Sequence, residues 1–310
     1  MQKPKISIVV PVYNVERYIT ECLDSCVNQI LEDIEIVVVD DCGNDKSIEI
    51  AKGFARSDPR VRVIHNKENM KLMLARFEGA KVARGEYIIF LDSDDFLELD
   101  VCERLWRLVE YKRYNRVSFG TWRYFDGEEG QKEIFHCYET KEFLSIEAFA
   151  DWVYRQKYFM WNICGNMIKT SSYLEAFERI DKNLKITMAE DVLVSYVLWN
   201  VCQLTLFSGL MGYNYRYNED SSSNTKDIIK MQRNLEDINY VISEIKRISV
   251  KCPVNKRIER LFLWHITHER DIMDYEIKKL KNKITIKDKI YHWLEGRCFT
   301  LQRRKRVLGW

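Results

Sequence analysis

The sequence is short of the residues that interrupt or staple a chain. It has 4 prolines and 12 glycines in 310 residues, too few for a flexible linker, and no segment repeats itself or falls into low complexity. Its 9 cysteines, Cys22, Cys26, Cys42, Cys102, Cys137, Cys164, Cys202, Cys252 and Cys298, are scattered and odd in number, with no CxxC pair and no Cys/His cluster at zinc spacing. A disulfide scaffold and a zinc module are thereby excluded, and reduced, mostly buried thiols in a cytosolic chain are expected. No apolar run approaches the roughly 18 residues of a membrane-spanning helix. Met1-Gln2-Lys3-Pro4-Lys5 runs straight into a strand pattern, unlike a signal peptide. No nucleic-acid recognition motif is present, so no nucleic-acid partner is expected.

What is present is a globular composition: 46% hydrophobic, 31% charged and 13% aromatic, over a length that suits one large or two modest domains. The net charge of +2 hides an asymmetry. Residues 226–310 hold 21 Lys and Arg against 11 Asp and Glu, a surplus of ten positive charges, whereas the 225 residues before them hold 28 against 36. An acidic body precedes a basic end.

The first 100 residues alternate between strand and helix patterns. Strands are read at Ile6–Val12, Ile34–Val39, Val61–Ile64 and 87–91, and helices at Val15–Ile30, Ser47–Ala55 and Leu72–Val82. This β-α-β-α-β-α-β order implies an α/β fold with a mostly parallel, Rossmann-like sheet and right-handed crossovers. Beyond Asp100 the pattern loosens. Helices are expected at Val101–Tyr114, Ser145–Lys157 and Ala189–Val201, strands at Val117–Tyr124 and Leu204–Ser208, and helical, basic chain from 226 onward.

The chain is organised around GEYIIFLDSDD, residues 85–95. An apolar strand covered on both faces ends there in Asp92-Ser93-Asp94-Asp95. Three carboxylates in four residues repel one another unless a counter-charge is supplied, and Mg²⁺ or Mn²⁺ suits their hard oxygens. A surface turn with Asp94 or Asp95 capping a helix reads the same way. Two further turns, Pro11-Val12-Tyr13-Asn14 and Asp40-Asp41-Cys42-Gly43-Asn44-Asp45, follow earlier strands. In an open parallel sheet all three would meet in one crevice at the strands' carboxyl ends. There Asp41 would accept a hydrogen bond from a base N–H, and Asp92 with Asp94 would take a ribose hydroxyl and a metal that neutralises a diphosphate.

The segments IVVPVYNVERYI, EIVVVDD and GEYIIFLDSDD resemble family 2 glycosyltransferases of the GT-A fold, strongly over residues 5–100 and more weakly to about 225. VDDCGND, YLEAF and MAEDVL are similar to bacterial lipooligosaccharide β-1,3-galactosyltransferases. The resemblance implies a UDP-sugar donor, a divalent metal, and a lipid-linked or other surface-glycan acceptor attacked in one inverting displacement. It implies a nucleotide-sugar-binding half over 1–100, an acceptor-binding half over 101–225 and a helical basic extension over 226–310. Pro11, Val12, Tyr13 and Asp41 would hold the nucleoside, Arg76 would contact the nucleotide or pair on a helix surface, and Asp92, Ser93 and Asp94 would hold ribose and metal. Asp191, supported by Glu190, would be the general base. Tyr158 and Trp161 would stack on the acceptor or join the core, and Arg216 would meet phosphate or sit on a strand edge. Galactose is the expected sugar, with UDP-glucose or a UDP-N-acetylhexosamine as the alternative donor.

The sequence departs from the family pattern where Cys42-Gly43 replaces Gly-Ser and where Asn69-Met70-Lys71-Leu72 lacks a glycine before the third helix. The Gln-x-x-Arg-Trp signature of processive members is absent, so a single sugar is added. A phosphatase with an Asp-x-Asp nucleophile and a non-catalytic glycan-binding module are the rival readings. A nucleotidyltransferase is disfavoured because no glycine-rich, basic loop follows the first strand. The aromatic, arginine-rich end, Trp293 to Trp310, suits an anionic membrane surface, giving a peripheral protein on the inner face of the cytoplasmic membrane.

Overall fold

Four runs of β-branched and apolar residues build the centre of a sheet. In the computed structural model, which describes residues 3–126, 131–156, 161–217, 227–294 and 296, they are β1 (Ile6–Val12), β2 (Ile34–Asp40), β3 (Val61–His65) and β4 (Tyr87–Phe90). They lie parallel in the order β3-β2-β1-β4, connected through α1 (Ile19–Val27), α2 (Ser47–Ser57) and α3 (Lys71–Val82). Their side chains alternate between two cores. Val9, Val37, Val39, Ile88 and Phe90 face one, while Ile8, Val10, Ile36, Val38 and Ile89 face the other. Helix α3 lies close to the sheet because Gly79 has no side chain; a Cβ there would stand 2.4 Å from Val9 Cγ1.

The second half of the sheet is less regular. After β5 (Phe96–Leu97) and α4 (Val101–Val109) come β6 (Arg116–Tyr124), β7 (Lys132–His136), β8 (Lys141–Phe143) and α5 (Ile146–Tyr154). Next are β9 (Asn166–Lys169), α6 (Thr170–Phe177), α7 (Glu190–Trp199) and β10 (Thr205–Arg216). The sheet continues β4-β9-β6-β10-β5, with β9 antiparallel to both its neighbours and β6 parallel to β10. β9 and α6 are not evident from sequence pattern. β10 runs eight residues beyond the Leu204–Ser208 reading, through two register shifts that break its alternation.

Two long helices, α8 (Ile228–Lys251) and α9 (Lys256–Leu280), close the chain's basic end onto this body. Ile238, Val241, Ile245, Ile258, Leu261 and Phe262 belong to the same core as Val9 and Phe90, so the expected boundary at 225/226 does not divide the core. Their apolar faces are buried against the body. Among the described residues no helix is long and apolar enough to cross a membrane.

Where the family's glycine is missing, Lys71 takes the left-handed conformation itself, with φ at 68°. A side chain at such a position costs about 1 kcal/mol relative to glycine. Lys71→Gly is therefore expected to raise stability by about 1 kcal/mol in urea unfolding; a loss of stability would show that the conformation is not strained.

Candidate functional site

Because β1, β2 and β4 are parallel, the turns that follow them open on one edge of the sheet. The first two turns are laced together. Asn14 Oδ1 accepts from the Asn44 N–H at 2.7 Å, Asp45 Oδ2 accepts from Glu16 N–H at 2.8 Å, and Ser47 Oγ accepts from Val15 N–H at 3.0 Å. Gly43 permits the approach, since a Cβ there would lie 2.9 Å from both Asn14 N and Asn14 Oδ1. Asn14, Cys42, Lys71 and Ala189, four of the five described non-glycine residues with positive φ, flank this mouth. Such strain concentrates where a site over-determines the backbone.

Pro11 and Val12 lie inside β1, buried and opposite Val39 and Asp40. They shape the strand end, with both side chains buried. Proline is tolerated here because the β1–β4 ladder stops at Val9 and Phe90, so the missing N–H faces no partner strand. Tyr13 follows with 48% of its surface exposed. Asp41 is buried, and its carboxylate already accepts from Asn66 Nδ2 at 2.8 Å, Met70 N–H at 2.7 Å and Lys71 N–H at 3.0 Å. It ties the second turn to the start of α3, leaving roughly one of four lone-pair directions for a ligand.

The acidic segment splits into distinct roles. Asp95 is interior, accepting from Tyr213 Oη at 2.6 Å and Arg216 N–H at 2.8 Å. Burial, with Asp94 and Asp92 nearby, holds its carboxyl well above the usual range. Ser93 is buried. Asp92 is engaged on both oxygens: Oδ1 accepts from Arg76 Nη2 at 2.7 Å and Oδ2 from the Cys164 thiol at 3.1 Å.

The other side of Arg76 reaches the second acidic pair. Its Nη1 donates to Asp191 Oδ1 at 2.6 Å and lies 4.0 Å from Glu190 Oε1. Asp191 Oδ2 accepts from Ile163 N–H at 3.2 Å. Arg76 is 3% exposed, so it neither lies on a helix surface nor points freely at a nucleotide. Burial opposes its charge, but Asp92 and then Asp191 keep it above even the ordinary guanidinium value. One buried cation thus joins the acid that ends β4 to the acid that begins α7.

Asp94 differs from its neighbours. Its carboxylate has no hydrogen-bond or ion-pair partner in any other described residue; only its carbonyl is used, accepting from Arg216 Nε at 2.9 Å. Burial and then Asp92 push it up to about 6. No group of three or more His, Cys, Asp or Glu able to hold a metal occurs among the described residues. An ion held by one or two carboxylates and completed by ligand phosphates and water fits this arrangement, with Asp94 as the open oxygen donor and Asp92, each of whose oxygens accepts one hydrogen bond, as the second.

Glu190 is likewise pushed up, to about 8, by burial and by Asp191 beside it. Burial also raises Asp191, against the pull of Arg76. The folded chain therefore binds protons that the unfolded chain has released. The stability this contributes is complete below about pH 4 and is lost as pH rises through about 6 for Asp94 and about 8 for Glu190. In chelator, the melting temperature is expected to rise between about pH 8.5 and about pH 5.5; a fall over that range would contradict the placement of these groups.

Arg216 is closed off from phosphate. Its guanidinium pairs with Glu21 and Asp126 and lies 5.1 to 5.6 Å from the ring centres of Tyr18, Phe96 and Tyr124. The Trp161 ring meets His265 of α9 edge-on at 5.9 Å and packs beside the core. Tyr158 and Phe159 lie outside the described residues. The sequence gives Cys164 no role beyond that of one scattered thiol. Asn166 Nδ2 donates to the carbonyls of Asn162, Ile163 and Cys164, shaping the turn that delivers Cys164 to Asp92 and the Ile163 N–H to Asp191. No local spacing signals this, since the partners come together only through β9.

The model of the family described as "Glycosyl transferase family 2" matches residues 7–168. The putative glycosyltransferase EpsH of Bacillus subtilis (strain 168) is 47% identical over 107 residues, 34% of this chain and 31% of that protein. The minor teichoic acid biosynthesis protein GgaB of the same organism is 30% identical over 222 residues, 70% of this chain but 23% of its own length. The chain thus spans about a third or less of these curated relatives. The crystal structure of S. aureus TarS 1–349 in complex with UDP-GlcNAc is similar in fold, with a TM-score of 0.66 over 98% of this chain and 82% of that one at 19% identity.

Proposed function

Because this chain belongs to glycosyl transferase family 2, we propose that it transfers one sugar from a UDP-sugar to a hydroxyl of a surface-glycan acceptor, with inversion at the anomeric carbon. The finer reading is galactose in β-1,3 linkage on a lipooligosaccharide-type acceptor. UDP-glucose and a UDP-N-acetylhexosamine are the alternative donors; the similarity in fold to TarS, which was solved with UDP-GlcNAc, supports the latter. The observation that carries the reading is the Asp92–Arg76–Asp191 bridge, with the open carboxylate of Asp94 beside it.

In this scheme Asp191 takes the proton of the acceptor hydroxyl as its oxygen attacks the anomeric carbon and the bond to the UDP oxygen breaks. Arg76 orients Asp191 and opposes the rise that burial imposes on its carboxyl. Tyr13, the exposed side chain past β1, covers the nucleoside, and the spare lone pair of Asp41 reads a base N–H. Asp94 would hold a divalent ion, which would supply Lewis-acid neutralisation of the leaving diphosphate.

A screen of UDP-Gal, UDP-Glc, UDP-GalNAc and UDP-GlcNAc, reading UDP release with and without Mn²⁺, tests this. One donor is expected to release UDP in a metal- and acceptor-dependent way. Phosphate release from simple esters, with no UDP release from any sugar donor, would favour the phosphatase reading instead.

A further inference from the structure

Beyond α9 the chain forms a short helix, residues 286–294, whose polarity runs opposite to that of a helix packed for stability alone. Its inner face is polar. Asp288 Oδ1 accepts from Lys278 Nζ at 3.2 Å, and the His292 ring stacks on Tyr275 with ring centres 3.9 Å apart, so α9 holds it in place. Its outer face is apolar. Ile286, Ile290 and Leu294 are 77%, 54% and 51% exposed, and Trp293 is 57% exposed. At 3.6 residues per turn these four fall on an arc of about 100°, opposite Asp288 and His292. Lys287 and Lys289 border the arc on its two sides.

A buried partner helix would need carboxylates opposite these lysines, whereas an anionic lipid surface supplies negative charge and an apolar interior together. The charge around the helix fits the second. Residues 278–294 contain six lysines against one aspartate. A juxtamembrane basic cluster of this size is drawn to anionic headgroups. We infer that the outer face of helix 286–294 docks the protein on an anionic membrane surface, Ile286, Ile290 and Leu294 entering the headgroup boundary and Lys287 and Lys289 meeting lipid phosphates. The inference does not depend on the identity of the sugar donor. It places the docking element beside α9, on residues that include none of those assigned to the strand-end mouth, so it bears on where the acceptor is met and not on the chemistry.

The test is co-sedimentation of the full chain with vesicles of phosphatidylcholine, and of phosphatidylcholine with phosphatidylglycerol. Binding is expected to the anionic vesicles only and to weaken at high salt. Ile290→Asp with Leu294→Asp, and separately Lys287→Glu with Lys289→Glu, should each weaken it by roughly tenfold or more. Both pairs are exposed, so unchanged melting temperature and unchanged UDP release from soluble donor are expected in the same variants. Absence of binding to anionic vesicles, or binding indifferent to both double variants, would overturn the inference. So would a concentration-dependent dimer abolished by Ile290→Asp with Leu294→Asp, which would assign the face to a second copy of the chain.

Discussion

Replacing Asp94 with asparagine is expected to lower turnover by about 10² to 10³-fold while leaving the fold intact. The magnitude follows from the Lewis-acid stabilisation of a leaving diphosphate, worth several kcal/mol. The structural neutrality follows from the surroundings. The Asp94 carboxylate has no partner to lose among the described residues, and its only protein contact of this kind, the carbonyl accepting from Arg216, survives the change. Its charge is also unfavourable in the free protein, being pushed toward neutrality by burial and by Asp92. Asparagine should therefore melt at or slightly above the wild-type temperature while failing to turn over. Full activity of the variant in the presence of chelator would remove Asp94 from the mechanism.

Asp191→Asn should separate chemistry from binding. An amide cannot take a proton, so transfer is expected to fall by about 10² to 10⁴-fold. The contact with Arg76 should persist, because asparagine Oδ1 can still accept from Arg76 Nη1, which keeps its second partner in Asp92; the bond from Ile163 N–H is lost, since the amide nitrogen cannot accept it. UDP affinity is then expected to stay within a few-fold of wild type, as measured by calorimetry. A large loss of UDP affinity would move Asp191 from the acceptor side of the site to the donor side.

The contrast between these residues and their neighbours shows what a sequence can and cannot display. β1, β2 and β4 are largely apolar runs, as parallel strands buried on both faces read, and β2 and β4 lead into acids, so their carboxyl-end turns are legible in the sequence. Asp94 was visible for the same reason. Arg76 was visible as a residue but not in its role. It lies in α3 among Met73, Leu74, Ala75 and Phe77, where periodicity cannot tell a buried cation from a surface one, and its partners are 16 and 115 residues away. The Cys164 thiol reaches Asp92 only because β9 runs antiparallel between β4 and β6, and Asn166–Lys169 is too short and mixed to register as a strand. Pro11 and Val12 close β1 where the sequence pattern ends the strand, and there they hold Tyr13 at the mouth.

The turns after β1, β2 and β4 open on one edge of the sheet, and the proposed function has them grip a nucleoside diphosphate through a divalent ion at Asp94. Titration calorimetry of UDP into the wild-type chain and Asp94→Asn, each with Mn²⁺ and with chelator, tests this most directly. Strong binding is expected only for the wild type with Mn²⁺. Equal UDP affinity in all four conditions, or none in any, would contradict it.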